Sequence, residues 1–168
     1  LNSYENRVYQ VELDDGTFVV TKFYRPERWS DAQIAEEHAF VRSLADAEVP
    51  SVPPREIDGR TLHVHAGFRF AVYDKCGGRP PELDRDEVLE WLGRFLGRLH
   101  SVGASGRFAV RPVLDAGTFG AAPRDYLLAS DLLPPELRDA WTAASALALD
   151  GVKRAFDRAG NVATLRLH

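Results

Sequence analysis

Two strand-like runs, RVYQVEL (7–13) and TFVVTKFY (17–24), meet at Asp14-Asp15-Gly16. An Asp-Gly turn between such runs predicts an antiparallel hairpin, because glycine supplies the positive φ that a tight hairpin turn requires. The start of the chain is therefore committed to sheet. In TFVVTKFY seven of the eight residues are β-branched or aromatic, and the other is Lys22. On a period-2 strand Phe18, Val20, Lys22 and Tyr24 share one face, so an ammonium group stands on a largely apolar surface. The chain uses three lysines against eighteen arginines. Arginine is a rigid planar fork and lysine a compact point charge on a flexible stem. A lysine here reads as chosen for its chemistry, although one at a sheet edge can equally snorkel to water.

After the connector RPERW, Ser30 is placed to cap a helix beginning at Asp31. Ile34, Val41 and Leu44, with Phe40 beside them, recur at helical spacing, and Pro50, Pro53 and Pro54 end the run. REIDGRTLHVH and GFRFAVYD predict a second hairpin, with strands near 60–65 and 68–73. The turn-rich KCGGRPPE (75–82) divides an amino-terminal lobe, 1–75, from the remainder, 76–168. Beyond it Asp84 and Glu87 resemble a capping box. Val88, Trp91, Leu92, Phe95, Leu96 and Leu99 then form an apolar stripe. Gly93 and Gly97 within it weaken that helix by about 1 kcal/mol each relative to alanine. The stretch 103–133 reads as irregular, Pro134-Pro135 to Gly160 as a second helix, and VATLRL as a short last strand. Strands first and helices after predict an α+β chain in two lobes.

Composition excludes several functions. A net charge of −4 over 168 residues offers no footprint for nucleic acid or an anionic membrane. No apolar run approaches the roughly 18 residues of a spanning helix, and no signal peptide is visible. Cys76, the one cysteine, rules out an internal disulfide and Cys-rich zinc sites. These features predict a cytoplasmic protein. The absence of methionine and the strand-like ending ATLRLH predict a piece of a longer one.

The helix after Lys22 supplies a partner for it. Glu37 lies three residues after Ile34 and four before Val41, on the buried seam. Glu36 is turned away by about 100°. A carboxylate on an apolar seam and an ammonium on an apolar strand face relieve each other's desolvation by pairing, unless Glu37 reaches water at the seam's edge. A strand lysine paired to a glutamate of the next helix is how protein kinases hold nucleotide phosphates, though VVTK fits the V-A-I-K strand signature only loosely. Other polar residues read as structural. His63 and His65 share a strand face without a third ligand, so no metal is expected there. His100 reads as a packing or capping residue, and RPERW as a solvated connector. Cys76 has only Lys75 to activate it and is not expected to be catalytic.

LNSYENRVYQV, VVTKFYRPERWSDAQIAEEHAF, GFRFAVYDKCGGRPPELD and WLGRFLGRLHSVG closely resemble the stress response kinase A family of bacteria. These are serine/threonine protein kinases of the aminoglycoside phosphotransferase-like group within the protein-kinase-like fold. The likeness covers 1–100 strongly and 103–160 more weakly, and returns in TLRLH. It implies an antiparallel-sheet lobe with one helix, a short linker, and the start of a helical second lobe. It implies that Lys22 holds the phosphates of ATP and that Glu37 is its helix partner. NSYEN takes the place of the phosphate-covering loop, with Ser3 and Asn6 as nucleotide contacts or, alternatively, as turn stabilisers. Positions 1–15 contain no glycine, a departure from the G-x-G-x-x-G loop of protein kinases. Hydroxyl and backbone N–H donors would substitute for that cradle.

Asp74 to Cys76 would present backbone groups to adenine. The resemblance further implies ATP with Mg2+ and a protein serine or threonine as acceptor. A small-molecule kinase acting on an aminoglycoside, choline or homoserine-like alcohol is the enzyme alternative. A non-catalytic nucleotide-binding or interaction module is the third reading. His168 matches the first histidine of the family's catalytic loop, H-G-D-x-H-x-x-N. Catalytic base and metal ligands are therefore expected after it, and none within the chain. The 168 residues alone are expected to be inactive, with apolar surface exposed on the second lobe.

Overall fold

The structure, a computed structural model, describes residues 5–167. Ser3 and His168 lie outside the described residues. β1 (Arg7–Glu12) and β2 (Phe18–Phe23) form the first hairpin, with Gly16 at φ 79°. The Asp15 carboxylate closes this turn by accepting from the N–H and hydroxyl of Thr17 at 2.9 and 2.6 Å. α1 spans Asp31–Asp46, and β3 (His63–His65) and β4 (Phe68–Asp74) form the second hairpin. All neighbours in the sheet are antiparallel, in the order β1-β2-β4-β3. The longer strand of the second hairpin thus lies beside β2. Lys22 stands between Val8 and Ala71.

α1 begins where its cap predicts. Ser30 Oγ accepts from the Gln33 N–H at 3.2 Å, and Gln33 Oε1 accepts from the Ser30 N–H at 3.0 Å. A cap of this kind contributes about 1 kcal/mol. Ile34 then buries against Tyr24 and Ala71, with Trp29, Leu62 and Tyr73 around them. Further along, Phe40, Leu44 and Val49 form a second cluster against Phe95, Leu99 and Val102 of α2 (Asp86–Ala104) and against Phe108. α1 is therefore gripped by the sheet through one turn and by α2 through the next. Phe95 and Leu99 of the α2 stripe are used this way, while Trp91 and Leu96 remain exposed.

Three local expectations are corrected. The Asp84–Glu87 capping box does not form, because α2 starts at Asp86 with Arg85 in the cap position and no side-chain cap. Asp84 stands one residue too early, since a cap must immediately precede the first helical residue. Part of the stretch expected to be irregular is helical: a π-helical turn, Gly117–Ala121, runs into α3, Ala122–Ala129. Pro123 suits that first turn. VATLRL forms no strand. The Arg166 N–H instead donates to Gly103 O at 3.2 Å, and its guanidinium reaches Val102 O at 3.1 Å. The partner of this extended segment is the carbonyl end of a helix, not a sheet edge.

That contact explains Gly103. A Cβ there would overlap the carbonyl oxygen of Arg166. Gly103→Ala is expected to cost about 1–3 kcal/mol, the usual range for overpacking that backbone must absorb. It should appear as a lower urea midpoint at unchanged slope. An unmoved midpoint would show that the 165–167 segment does not pack there.

Residues to Arg111, with the stretch from Leu165, form one compact unit, and Pro112–Thr164 form another. The second contains α3 and α4 (Pro135–Ala159), the latter closed by Gly160 at φ 68° as the sequence predicts. Arginines fasten the two helices: Arg124 Nε donates to Ser145 Oγ at 2.9 Å, and Arg138 Nη2 to Leu128 O at 2.6 Å. Leu137, Leu147 and Phe156 of α4 stay exposed, the apolar surface expected of this part of the chain.

Candidate nucleotide-binding site

β2 and α1 bring Lys22 and Glu37 together. Lys22 Nζ donates to Glu37 Oε1 at 2.7 Å, with the two side chains 22% and 17% exposed. This degree of burial separates the pair from surface ion pairs, which contribute little. Lys22 neither snorkels to water nor leaves Glu37 at the seam's edge. Its ammonium also lies 4.8 Å from the centre of the Tyr24 ring, a favourable cation–π placement.

Sequence reasoning missed the other half of this arrangement. The second carboxylate oxygen of Glu37 accepts from Arg111 Nη1 at 3.1 Å, and the same nitrogen donates to Gln33 O at 3.0 Å. The Arg111 guanidinium lies 4.4 Å from the Trp29 ring centre and 5.7 Å from that of Phe108. Glu36, which the helical wheel merely turns away from the seam, accepts from the backbone N–H groups of Ala109, Val110 and Arg111. Desolvation alone would raise its pKa, but these three donors together hold the carboxyl below its usual range. Gln33 Nε2 adds a bond to Val110 O at 3.0 Å. One turn of α1 thus clasps residues 109–111.

Asn6 and Asp74, two further expected site residues, have partners of their own. Asn6 Oδ1 accepts from the Arg25 N–H at 3.4 Å, tying the approach to β1 to the chain leaving β2. Asp74 ends β4 with its carboxylate 2.6 Å from Arg55 Nε. Cys76 is a free, exposed thiol just beyond. An open groove of about 490 Å³ lies between the β2–α1 connector and β4, lined by Tyr24, Pro26, Trp29, Phe68 and Arg69 among others. Neither Lys22 nor Glu37 lines it. Among the described residues no three His, Cys, Asp or Glu side chains converge as a metal site. No metal-dependent step is assigned to the described residues.

His38 is a second omission. It sits four residues after Ile34 on the same seam and is buried. Its Nε2 lies 2.7 Å from Tyr24 Oη, which is 3.2 Å from Tyr73 Oη, and its Nδ1 lies 2.8 Å from Thr61 Oγ1. A neutral imidazole supplies one donor and one acceptor, so the chain of bonds is satisfied in either sense. Burial drives the His38 pKa down from 6.5 to about 4, with Lys22 and His63 assisting and Glu37 opposing. Burial also raises the phenol pKa values of Tyr24 and Tyr73, so both stay protonated.

The folded state therefore keeps His38 neutral where the unfolded chain protonates it. Its contribution to stability is complete above pH 6.5 and is lost as pH falls towards 4. The full loss is about 3 kcal/mol. Urea unfolding across this window should show the parent losing more stability than His38→Gln. Parallel profiles would contradict a buried neutral His38.

A four-stranded antiparallel sheet crossed by one helix, with a strand lysine ion-paired to a helix glutamate, defines the phosphotransferase class with a kinase-like first lobe. The sequence profile of the phosphotransferase enzyme family matches residues 1–164, and the chain belongs to that family. It is 41% identical over 168 residues to stress response kinase A of Salmonella choleraesuis (strain SC-B67), covering all of this chain and 51% of that protein. Identity to serine/threonine protein kinase RdoA of Salmonella typhimurium (strain LT2) is the same over the same shares. To stress response kinase A of Escherichia coli (strain K12) it is 43% over 145 residues, covering 86% of this chain and 44% of that protein. The chain spans about half the length of these relatives.

Among solved structures, amicoumacin kinase hAmiN in complex with AMP-PNP, Ca2+ and Ami superposes with a TM-score of 0.56 at 26% identity. That match covers 65% of this chain and 35% of the kinase. The fold is the α+β arrangement of this family, with the antiparallel sheet as its first lobe. Among the described residues no helix is long and apolar enough to cross a membrane.

Proposed function

We propose that these residues form the nucleotide-holding part of an ATP-dependent serine/threonine protein kinase of the stress response type. The observation that carries this reading is the Lys22–Glu37 ion pair, 2.7 Å long and largely withdrawn from water. An ammonium fixed by a helix carboxylate offsets charge on the α- and β-phosphates and positions the γ-phosphoryl group for transfer. Residues 74–76 would offer backbone groups to adenine, and Ser3 with Asn6 would cover the phosphates. The functional division between lobes then falls at 75/76. Abstraction of the acceptor proton and binding of Mg2+ are assigned to the part of the longer relatives that this chain does not cover. By this reading the 168 residues alone bind nucleotide but do not transfer phosphate, and the protein acts in the cytoplasm.

The name of the Salmonella typhimurium relative, serine/threonine protein kinase RdoA, supports a protein acceptor. A small-molecule acceptor is the second reading, favoured by the printed description of the amicoumacin kinase, which pairs a nucleotide analogue with Ami. Labelled ATP given to the full-length protein, with protein substrates and small alcohols in competition, separates the two. Label confined to protein serine or threonine supports the first. Label confined to the alcohols supports the second.

A further inference from the structure

We infer that Arg111 is a positioning residue for Lys22, acting through Glu37. The inference rests on the reading of Lys22 as the phosphate-holding residue and extends it to a group far away in sequence. Glu37 has two carboxylate oxygens, and the structure divides them: Oε1 accepts from Lys22 and Oε2 from Arg111. With Oε2 held by Arg111, rotation of the carboxylate away from Lys22 is restrained. Arg111 also shares the negative charge of Glu37 with Lys22, and the four groups Lys22, Arg111, Glu36 and Glu37 together sum to zero.

The guanidinium is itself held in place. It lies 4.4 Å from the Trp29 ring centre and 5.7 Å from that of Phe108, within cation–π range of both. Its backbone N–H is bound by Glu36 at 2.8 Å, and Arg111 Nη1 is also bonded to Gln33 O. Consecutive glutamates of α1 thus have complementary roles. Glu36 fixes the backbone of residues 109–111, and Glu37 receives the side chain that this backbone delivers.

The three lysines of the chain allow a direct test by NMR of lysine ε-methylene groups. In the nucleotide-free chain, Lys22 should show two inequivalent ε protons, the mark of an immobilised ammonium stem. In Arg111→Met, which keeps an apolar stem near the two rings, that inequivalence should collapse. Affinity for ATP should fall about tenfold, within the coupling range of one charge network. In a Glu37→Gln background the same substitution should change neither readout by more than about twofold, because the carboxylate that transmits it is gone. If Arg111→Met does not fold, Arg111→Lys carries the test, with an intermediate Lys22 signal expected. An unchanged Lys22 signal overturns the inference. So does an equal effect with and without Glu37, which would show a role not exerted through that carboxylate. Absence of ATP binding by the parent chain would overturn the phosphate reading alone, since the ligand-free Lys22 signal still decides whether Arg111 positions it.

Discussion

Lys22→Met is expected to weaken ATP binding by about 10- to 100-fold, the value of one hydrogen bond to a charged group that is no longer made. Phosphoryl transfer by the full-length protein should fall at least as far. The fold should survive this change. Among the described residues Glu37 pairs with Arg111 as well as with Lys22, so removal of Lys22 leaves the carboxylate paired with Arg111 at 3.1 Å. Methionine also retains most of the stem that packs near Tyr24. Lys153→Met, on α4, is the control and should bind ATP as the parent does. Calorimetry on both variants separates loss of the site from loss of the protein. Equal affinity in Lys22→Met and the parent would remove Lys22 from the nucleotide site.

The largest effect on stability is expected at Phe40. The side chain is 1% exposed, meets Phe108 edge-to-face at 5.6 Å, and packs with Leu44 and Val49. The Arg166 guanidinium lies 4.9 Å from its ring centre. Phe40 therefore joins α1, α2 and the 165–167 segment in one place. Phe40→Ala should cost about 3–5 kcal/mol, from the lost transfer energy and the cavity left behind. Against the roughly 5–15 kcal/mol of a typical domain, this leaves a marginal fold. Urea unfolding measures it directly. A cost below about 1 kcal/mol would mean that the cavity collapses or that α2 does not pack on α1 as described.

Features set by neighbours in sequence were legible. The Asp-Gly hairpin, the Ser30 cap and the placement of Glu37 on the α1 seam each follow from spacing within one or two turns. His38 was equally legible, since it stands four residues after Ile34. A polar residue on that seam is easily passed over when only apolar positions are counted.

Arg111 had no such signal. It is 74 residues from Glu37, with β3, β4, α2 and the loop carrying Phe108 between them in sequence. The role of Glu36 depends on the same long-range closure. α3 was missed for a different reason: eight residues beginning Ala-Pro, preceded by a π-helical turn, give too short a run for a helical period to stand out. In VATLRL the β-branched residues suggested a strand, but strand propensity reflects the available partner surface more than the backbone itself. Here that partner is the end of α2.

The central claim is that the ammonium held by Glu37 receives the phosphates of a nucleotide. The most direct measurement is a titration of the lysine-labelled chain with ATP and, separately, with adenosine. The Lys22 signal should move and saturate with ATP, while Lys153 stays fixed, and adenosine should leave Lys22 unmoved. ATP binding by calorimetry with no change at Lys22, or an equal change with adenosine, would contradict the account.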